Sequence, residues 1–567
     1  MSAKWYIYPV IPEPDAQKMG NIPPTLKQVL FNRGIHEQEN ARQFLKAALD
    51  FDNNPFLILD MDKAVDRILK SYHSNEKIVV YGDYDVDGVT ATALLVNGLS
   101  RLGLRAFAYI PNRFEEGYGI NNEALNVIKA DAAGLVISVD CGIRSIDECL
   151  YAKSIGLDMI ITDHHEPGED VPDALAVINP KRERDTYPEK YLAGVGLAFK
   201  LLQALHSQMI QNKIHNDFEP DEYLDLVALG TVADLAPLTG ENRYFVRKGL
   251  RQFQKTRRVG LTALAAVADT PLENIDATAI GFRLGPRLNA AGRLESALLA
   301  YDLLTATNNL EAGKLAQILN VKNNERQKVT KEIKQKAEEI TMSDGVINKP
   351  LLFAASPEFN QGIIGLAASK LTEDYYRPAI VGSIDLESGF THCSCRSIPE
   401  YHIEQALGRA SAYLEKFGGH SAAAGFTIRN ENIEPFLEFM NKDAAKEIPV
   451  DLGPTLKADM ILGLDEINFE LVDHLRYLEP TGIANPSPKF VTLGLRVRTK
   501  KTMGKESQHL KLVVTDGNQK IEAIWWNKGD QHNFISETVD LFYSIEVNEF
   551  NGEKNLQLII KDLKTAK

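Results

Sequence analysis

Between residues 55 and 260, short apolar runs of strand length alternate with stretches able to form helices, and no other feature constrains the fold as tightly. KIVVYG (77–82), RAFAYI (105–110), GLVISV (134–139) and DMIITD (158–163) are each rich in β-branched residues. Apolar strands separated by helices imply a parallel sheet covered on both faces, because a parallel crossover lays a helix over the sheet. Residues 1–50 read as a helical lead-in and 261–345 as a helical connector. The connector contains LAQILNVKNNERQKVTKEIKQKAEEI (315–340), a solvated linking helix by its strong helix formers and its charge. From 346 to 435 an α/β pattern returns on a smaller scale. From 450 to 567 it gives way to PKFVTLGLRVRT, HLKLVVT, KIEAIWW, DLFYSIEV and NLQLIIKDL. Asp516-Gly517 and Asn551-Gly552 mark hairpin turns there, which suits a five-stranded OB-type β-barrel. The fold class expected is α/β and multi-domain. It combines a parallel-sheet domain at 51–260, a linking helix, a smaller α/β domain at 346–435 and the barrel at 450–567.

Bulk properties narrow the function. No run of about 18 apolar residues is present, so no membrane span is expected. The start, MSAKWYIYPVIPEPD, lacks the basic-then-apolar layout of a signal peptide, and a cytoplasmic location is expected. Cys141, Cys149, Cys393 and Cys395 fit neither a zinc spacing nor a disulfide framework, and they read as buried or incidental thiols. The formal net charge is −14, so any contact with nucleic acid must come from local basic patches.

Four motifs carry the chemistry. Asp83-Tyr-Asp85-Val-Asp87-Gly88 follows KIVVYG directly; Asp140 lies in SVDCGI; Asp163-His164-His165 follows MII; and Asp234 lies in LGTVADLAPL. In open parallel sheets ligands bind at the carboxyl ends of strands, so four strand ends can converge on one crevice. Carboxylates can bridge two cations and cancel their charge. Imidazoles add nitrogen ligands that suit a transition metal. The set therefore points to two divalent metal ions, Mn2+ first, with Mg2+, Co2+ or Zn2+ as alternatives. Ions about 3.5–4 Å apart activate a shared water and neutralise phosphate, which directs the reading to hydrolysis of a phosphate ester. Singly, each motif has a plain structural reading as a turn, a cap or a solvated charge. An EF-hand loop is excluded because its twelfth position, where a bidentate Glu is required, is Leu94.

In order along the chain, VVYGDYDVDGVTA, PNRFEEGYG, SVDCGI, ITDHHEPG, LGTVADLAPL, GPRLNAAGRL, CRSI, FGGHSAAAGF and EPTGIANPSP resemble the DHH phosphoesterase superfamily, named for the Asp163-His164-His165 triplet. Within it they are similar to the branch of single-strand-specific exonucleases. The resemblance implies metal ligation by Asp83, Asp85, Asp87, Asp140, His164 and Asp234, with Asp140 as the bridging carboxylate. It further implies that His165 faces the scissile phosphate or the attacking water and that Asp163 orients a histidine, so Asp140, Asp163 and His165 form the catalytic set. The domain at 346–435 resembles the DHHA1 domain of the same superfamily. There, the small residues of Phe417–Gly425 let backbone N–H groups approach an anion, and His420 with Gly419 is expected at phosphate. Arg396-Ser397 in CRSI, Arg287, Asn289 and Arg293 in the GPRLNAAGRL loop, and Arg113 beyond RAFAYI complete the phosphate-gripping candidates.

An enzyme for small phosphoesters needs no barrel. Here the barrel segment carries Arg496, Arg498, Lys500, Lys501, Lys505 and Lys511 near Trp525, Trp526 and Tyr543. Cations that track a backbone beside stacking aromatics suit single-stranded nucleic acid, with Trp525 as the expected stacking ring. Adjacent tryptophans on a strand point to opposite faces, so at most one belongs to the core. The resemblance makes the expected activity a metal-dependent 5′-to-3′ exonuclease that degrades single-stranded DNA to 5′-mononucleotides in recombination and repair. A helicase and a single-strand-binding protein are the partners it implies, and a monomer is expected. Two alternatives stand beside it: a related phosphodiesterase acting on oligoribonucleotides or small phosphoesters, and a binding module that kept the fold without the chemistry.

Overall fold

The computed structural model describes residues 3–566 apart from 50, 52, 113–115, 118, 344–348, 450–451 and 551. The chain divides into two compact units. One comprises Trp5–Asn289, Ala297–Ala316 and Thr455–Lys567; the other comprises Met1–Lys4, Ala290–Ser296 and Gln317–Pro454.

The lead-in begins with a strand, β1 (Lys4–Ile7), before the helices Glu13–Lys18, Pro24–Asn32 and Gln38–Lys46. The strand ties this mostly helical segment to the barrel: Trp5 packs against Phe542 at 5.6 Å between ring centroids, and its indole N–H donates to Asp562. Next come β2 (Lys77–Gly82), β3 (Arg105–Tyr109), β4 (Ala133–Val139), β5 (Asp158–Thr162) and β6 (Ala176–Ile178), in the order β3-β2-β4-β5-β6. Every pairing in this sheet is parallel. β2, β4 and β5 are buried along nearly their whole length, which is why they read as unbroken apolar runs. The three-residue β6 is too short for periodicity to show.

The second unit holds β7 (Leu352–Ser356), β8 (Ala379–Ile384), β9 (Phe390–Arg396), β10 (Leu414–Gly419) and β11 (Ala423–Arg429), in the order β10-β11-β9-β8-β7. β7 and β8 are parallel across the helix Ile364–Tyr375; the other pairs are antiparallel. Ile333 and Ala337 of the long helix Asn309–Ser343 join this core with Ile364, Leu371 and Val381. The glycine-rich FGGHSAAAGF forms the β10–β11 hairpin, with β10 at the sheet edge, and no helix follows its turn.

The C-terminal strands are β12 (Thr455–Ala458), which pairs with β1, then β13 (Met460–Ile461), β14 (Phe490–Met503), β15 (His509–Thr515), β16 (Lys520–Trp525), β17 (Thr538–Phe550) and β18 (Glu553–Thr565). Their order is β13-β14-β15-β16-β18-β17, and β17 pairs back onto β14 to close a barrel. Phe490, Leu510, Leu512, Val514, Leu541, Tyr543 and Leu558 fill it. Tyr543 is therefore a core residue, its hydroxyl bonded to Thr492. Asp516-Gly517 turns β15 into β16 as expected, whereas Asn551 lies outside the described residues. No described helix is long and apolar enough to cross a membrane.

Candidate metal centre

Three strands deliver the first three motifs. β2 ends at Gly82, and the chain turns at Asp83 into the helix Val86–Arg101. Asp85 caps that helix by accepting from the Gly88 N–H at 3.0 Å, the usual role of Asp at this position. Asp87, in the first turn, is buried; its two oxygens accept from the N–H groups of Gly194 at 2.6 Å and Val195 at 2.8 Å, at the start of the helix Gly194–Gln211. A helix N-terminus is a natural seat for a carboxylate. β4 delivers Asp140, whose φ of 61° is left-handed, uncommon for a residue other than glycine and frequent at functional sites. Gly194 is required beside it: a Cβ there would lie 2.7 Å from the Cβ of Asp140.

β5 delivers the Asp-His-His triplet. The buried Asp163 accepts from the backbone of Ile143 at 2.9 Å and of His165 at 3.1 Å, and its Oδ1 lies 2.7 Å from His165 Nδ1. His164 turns the other way. Its Nε2 is 3.0 Å from Asp140 Oδ1 and 3.9 Å from Asp87, and its Nδ1 is 3.8 Å from Asp234. Asp234 comes from the end of the helix Leu224–Ala233, and the expectation of a fourth strand end is corrected by that helix. Nine of its ten residues are buried, so its sequence has no polar face to betray the helical period.

The ligand atoms form three overlapping groups: Asp83, Asp85 and Asp140; Asp140, His164 and His165; and Asp87, His164 and Asp234, each within 4.8 Å of one another. Asp140 belongs to two of them, and so does His164. Asp140 Oδ1 and His164 Nε2, 3.0 Å apart but out of hydrogen-bond alignment, are both buried without a hydrogen-bond partner. Such atoms cost free energy unless something fills the space between them.

Electrostatics points the same way. Burial, then the negative charges of Asp87, Asp85, Asp83 and Asp234, hold the Asp140 carboxyl well above the usual range. Burial with Asp87 and Asp85 pushes Asp234 up to about 9, and burial with Asp85 pushes Asp87 up to about 7 against the pull of the Val195 and Gly194 amides. Burial, then the neighbouring His165, pushes His164 down to about 3, which leaves a neutral ring with a lone pair to give. Carboxyls this crowded ionise together only with cations among them. The residues therefore fit divalent metal ions.

The other expected contacts are spread across the chain. Asn289 accepts from the Val86 N–H at 3.2 Å beside Asp85. It lies with Arg287 and Arg293 in the helix Gly285–Leu294, where a loop was expected. Its two glycines suggested a loop, but it continues a π-helical turn, Ile280–Leu284, which already supplies the helical frame. Arg287 donates to the carbonyls of Arg283 and Val267, and Arg293 points to that of Gly362 at 3.5 Å. Arg113 lies outside the described residues. In the second unit Arg396 donates to Ser394 and to its neighbour's carbonyl, and the Ser397 hydroxyl is spent on Tyr401. Gly419 has φ 148°, and a Cβ there would lie 2.5 Å from the Ala423 carbonyl, while His420 is exposed at the hairpin turn.

On the barrel, Lys501 stands opposite Lys511, and His509 is the next residue but one on the same face, its ring 4.7 Å from that of Trp526. Arg496 and Arg498 are exposed on the same strand, whereas Lys500 donates to the Ile535 carbonyl. Trp525 packs against the barrel core; the exposed ring of the pair is Trp526, at 45%. Sequence reasoning missed the Gly194 and Val195 amides that hold Asp87, although the glycines of LAGVGLAFK (192–200) signal a close backbone approach.

Three family descriptions match in order along the chain: "DHH family, N-terminal domain" over residues 77–231, "DHHA1 domain" over 348–446 and "RecJ OB domain" over 458–562. They set the class, a DHH phosphoesterase. Single-stranded-DNA-specific exonuclease RecJ of Bacillus subtilis (strain 168) is 36% identical over 561 residues, 97% of this chain and 70% of that protein. The protein of the same name in Salmonella typhimurium (strain LT2) is 34% identical over 97% of each chain. A crystal structure of RecJ from Thermus thermophilus in complex with Mn2+ superposes with a TM-score of 0.85 at 28% identity, covering all of this chain and 80% of that one. The chain belongs to the RecJ family.

Proposed function

We propose that this chain is a metal-dependent exonuclease that hydrolyses single-stranded DNA from 5′ to 3′ and releases 5′-mononucleotides, with two divalent ions at the Asp/His cluster. Mn2+ suits the mixed donors best, and Mg2+ can replace it. The observation that carries this reading is the shared position of Asp140 in two adjoining ligand groups. Relatives named for single-stranded-DNA-specific exonuclease activity, and RecJ structures with Mn2+ and with Mg2+, support it.

Asp83, Asp85 and Asp140 would hold one ion; Asp87, Asp140, His164 and Asp234 would hold the other. Ions seated there supply the Lewis acidity that makes water nucleophilic near neutral pH and offsets phosphate charge. His165, its pKa raised against burial by the Asp163 carboxylate 2.7 Å from its Nδ1, is suited to donate a hydrogen bond from Nε2 to a phosphoryl oxygen. Arg287 and Asn289, with Arg113, in the one unit, and Arg293, Arg396 and His420 in the other, are each candidates for holding phosphate. Lys501, Lys511, His509 and Trp526 offer the strand a charged face with a stacking ring. Work in recombination and repair, with a helicase and a single-strand-binding protein as partners, a monomeric state and a cytoplasmic location belong to the same reading.

A single-stranded oligonucleotide labelled at one end and blocked at the other tests it. Mononucleotides released progressively from an open 5′ end, and none from a blocked one, are expected. Release from the 3′ end, or internal cuts, would contradict the reading.

A further inference from the structure

Glu241, Asn242 and Arg243 are consecutive, polar and buried in the first turn of the helix Gly240–Phe253. Buried polar groups tend to be satisfied, and all of these but the Asn242 Oδ1 are satisfied by tying distant segments together. Arg243 spends all five of its N–H donors on backbone carbonyls, those of Phe44, Tyr477, Leu478, Glu479 and Pro480, at 2.9–3.0 Å. The last four close the helix Phe469–Leu475 and the 3-10 turn Arg476–Leu478, so the guanidinium sits at the negative end of a helical dipole. Asn485 takes two of the same carbonyls, Leu478 at 2.9 Å and Pro480 at 2.6 Å. The motif EPTGIANPSP is thereby fixed as a strap ahead of the barrel.

The strap reaches the loop that follows Asp234. Its Ile483 carbonyl accepts the Leu238 N–H at 2.8 Å, and Gly482 lies against the Leu238 side chain. Leu238 closes the loop that begins at Asp234. Within that loop Leu235 holds a φ of 63°, a left-handed conformation that leucine rarely adopts. Asn242 grips the same loop from the other side, donating to Pro237 at 3.1 Å and to Tyr191 at 2.6 Å.

We infer that Arg243 is a positioning residue for Asp234: by fixing the strap Tyr477–Asn485, it holds the Asp234–Leu238 loop in the one conformation that aims the carboxylate at the metal centre. This rests on the reading of Asp234 as a metal ligand. Partners that orient a ligand govern metal affinity as well as rate.

The test is an electron paramagnetic resonance titration of Mn2+ into the full-length, chelator-stripped chain. It compares wild type with Asp234→Asn, Gly482→Ala, Arg243→Lys and the Asp234→Asn/Gly482→Ala double variant. Gly482 is outside the left-handed region, so alanine meets no backbone penalty, but its Cβ would lie 2.8 Å from Leu238 Cδ1 and 3.3 Å from Leu238 Cγ, so the leucine side chain that packs on the strap must move. Asp234→Asn, Gly482→Ala and Arg243→Lys are each expected to weaken Mn2+ binding about ten-fold or more. The thermal midpoint of metal-free Gly482→Ala should match wild type, and the double variant should bind no more weakly than Asp234→Asn alone. Wild-type affinity in both Gly482→Ala and Arg243→Lys beside an impaired Asp234→Asn overturns the strap while sparing the metal reading, and so does simple additivity of measurable losses in the double variant. Wild-type affinity in Asp234→Asn overturns the metal reading itself and the strap with it. Should Arg243→Lys fail to fold, Asn485→Ala, which removes the bonds to the Leu478 and Pro480 carbonyls of the same strap, decides in its place.

Discussion

His165 Nδ1 lies 2.7 Å from Asp163 Oδ1, and the same carboxylate takes the backbone N–H groups of Ile143 and His165. Burial alone would lower the histidine and raise the carboxyl. Their hydrogen bond and opposite charges reverse both, leaving His165 above its ordinary value of 6.5 and Asp163 below its own of 3.8. The raised histidine stabilises the fold at pH below its unfolded pKa and loses that contribution as pH rises through its folded pKa. The depressed carboxylate contributes above its unfolded pKa and loses its share as pH falls through its folded pKa. Asp163→Asn should therefore lower the thermal midpoint of the metal-free chain most between about pH 4 and 6.5, and progressively less towards alkaline pH. Unfolding scans across that range check this, and a difference that does not change with pH would count against it. At neutral pH the variant should also lose about 10- to 100-fold in rate.

Gly194→Ala should impair the metal centre while sparing the fold. A methyl at this first helical position meets Asp140 at 2.7 Å and loosens the amide that holds Asp87 at 2.6 Å. Alanine is otherwise welcome in a helix. A rate at least ten-fold lower with an unchanged circular dichroism spectrum is expected.

The two barrel tryptophans should separate binding from stability. Trp526→Ala removes an exposed ring beside His509 and should weaken single-stranded DNA binding by about 1–3 kcal/mol, with no loss of thermal stability. Trp525→Ala opens space against the barrel core and should do the reverse. Fluorescence anisotropy with a labelled oligonucleotide and thermal unfolding of both variants measure the split.

Lys200 and Glu241 form an ion pair at 2.9 Å in which neither side chain is exposed, and the Tyr187 hydroxyl donates to the same carboxylate. Removing one partner strands a buried charge. Lys200→Met should cost about 3–5 kcal/mol in urea unfolding, and Lys200→Met with Glu241→Leu should recover part of it. A single variant as stable as wild type would contradict this.

The sheet was legible because its central strands are buried on both faces and so read as unbroken β-branched runs, and the acidic residues at their ends followed from that placement. Asp234 was found, but its helix was not, because Leu224–Ala233 is buried on nearly every side and even its Asp225 and Thr231 face the interior. The helix Gly285–Leu294 was hidden by its own glycines, which local propensity assigns to a loop. Asn242 and Arg243 left no signal: polar residues in a helical stretch look like surface until tertiary structure buries them. Which tryptophan faces the barrel core depends on the register of β16 against β15 and on where that strand stops, at Trp525, and neither is set by local sequence.

Anomalous diffraction at the manganese edge, from crystals grown with Mn2+, addresses the central claim most directly. Two peaks about 3.5–4 Å apart are expected, with the Asp140 carboxylate bound to both and His164 to one. An empty cluster, or a single peak that Asp140 does not reach, would contradict the account.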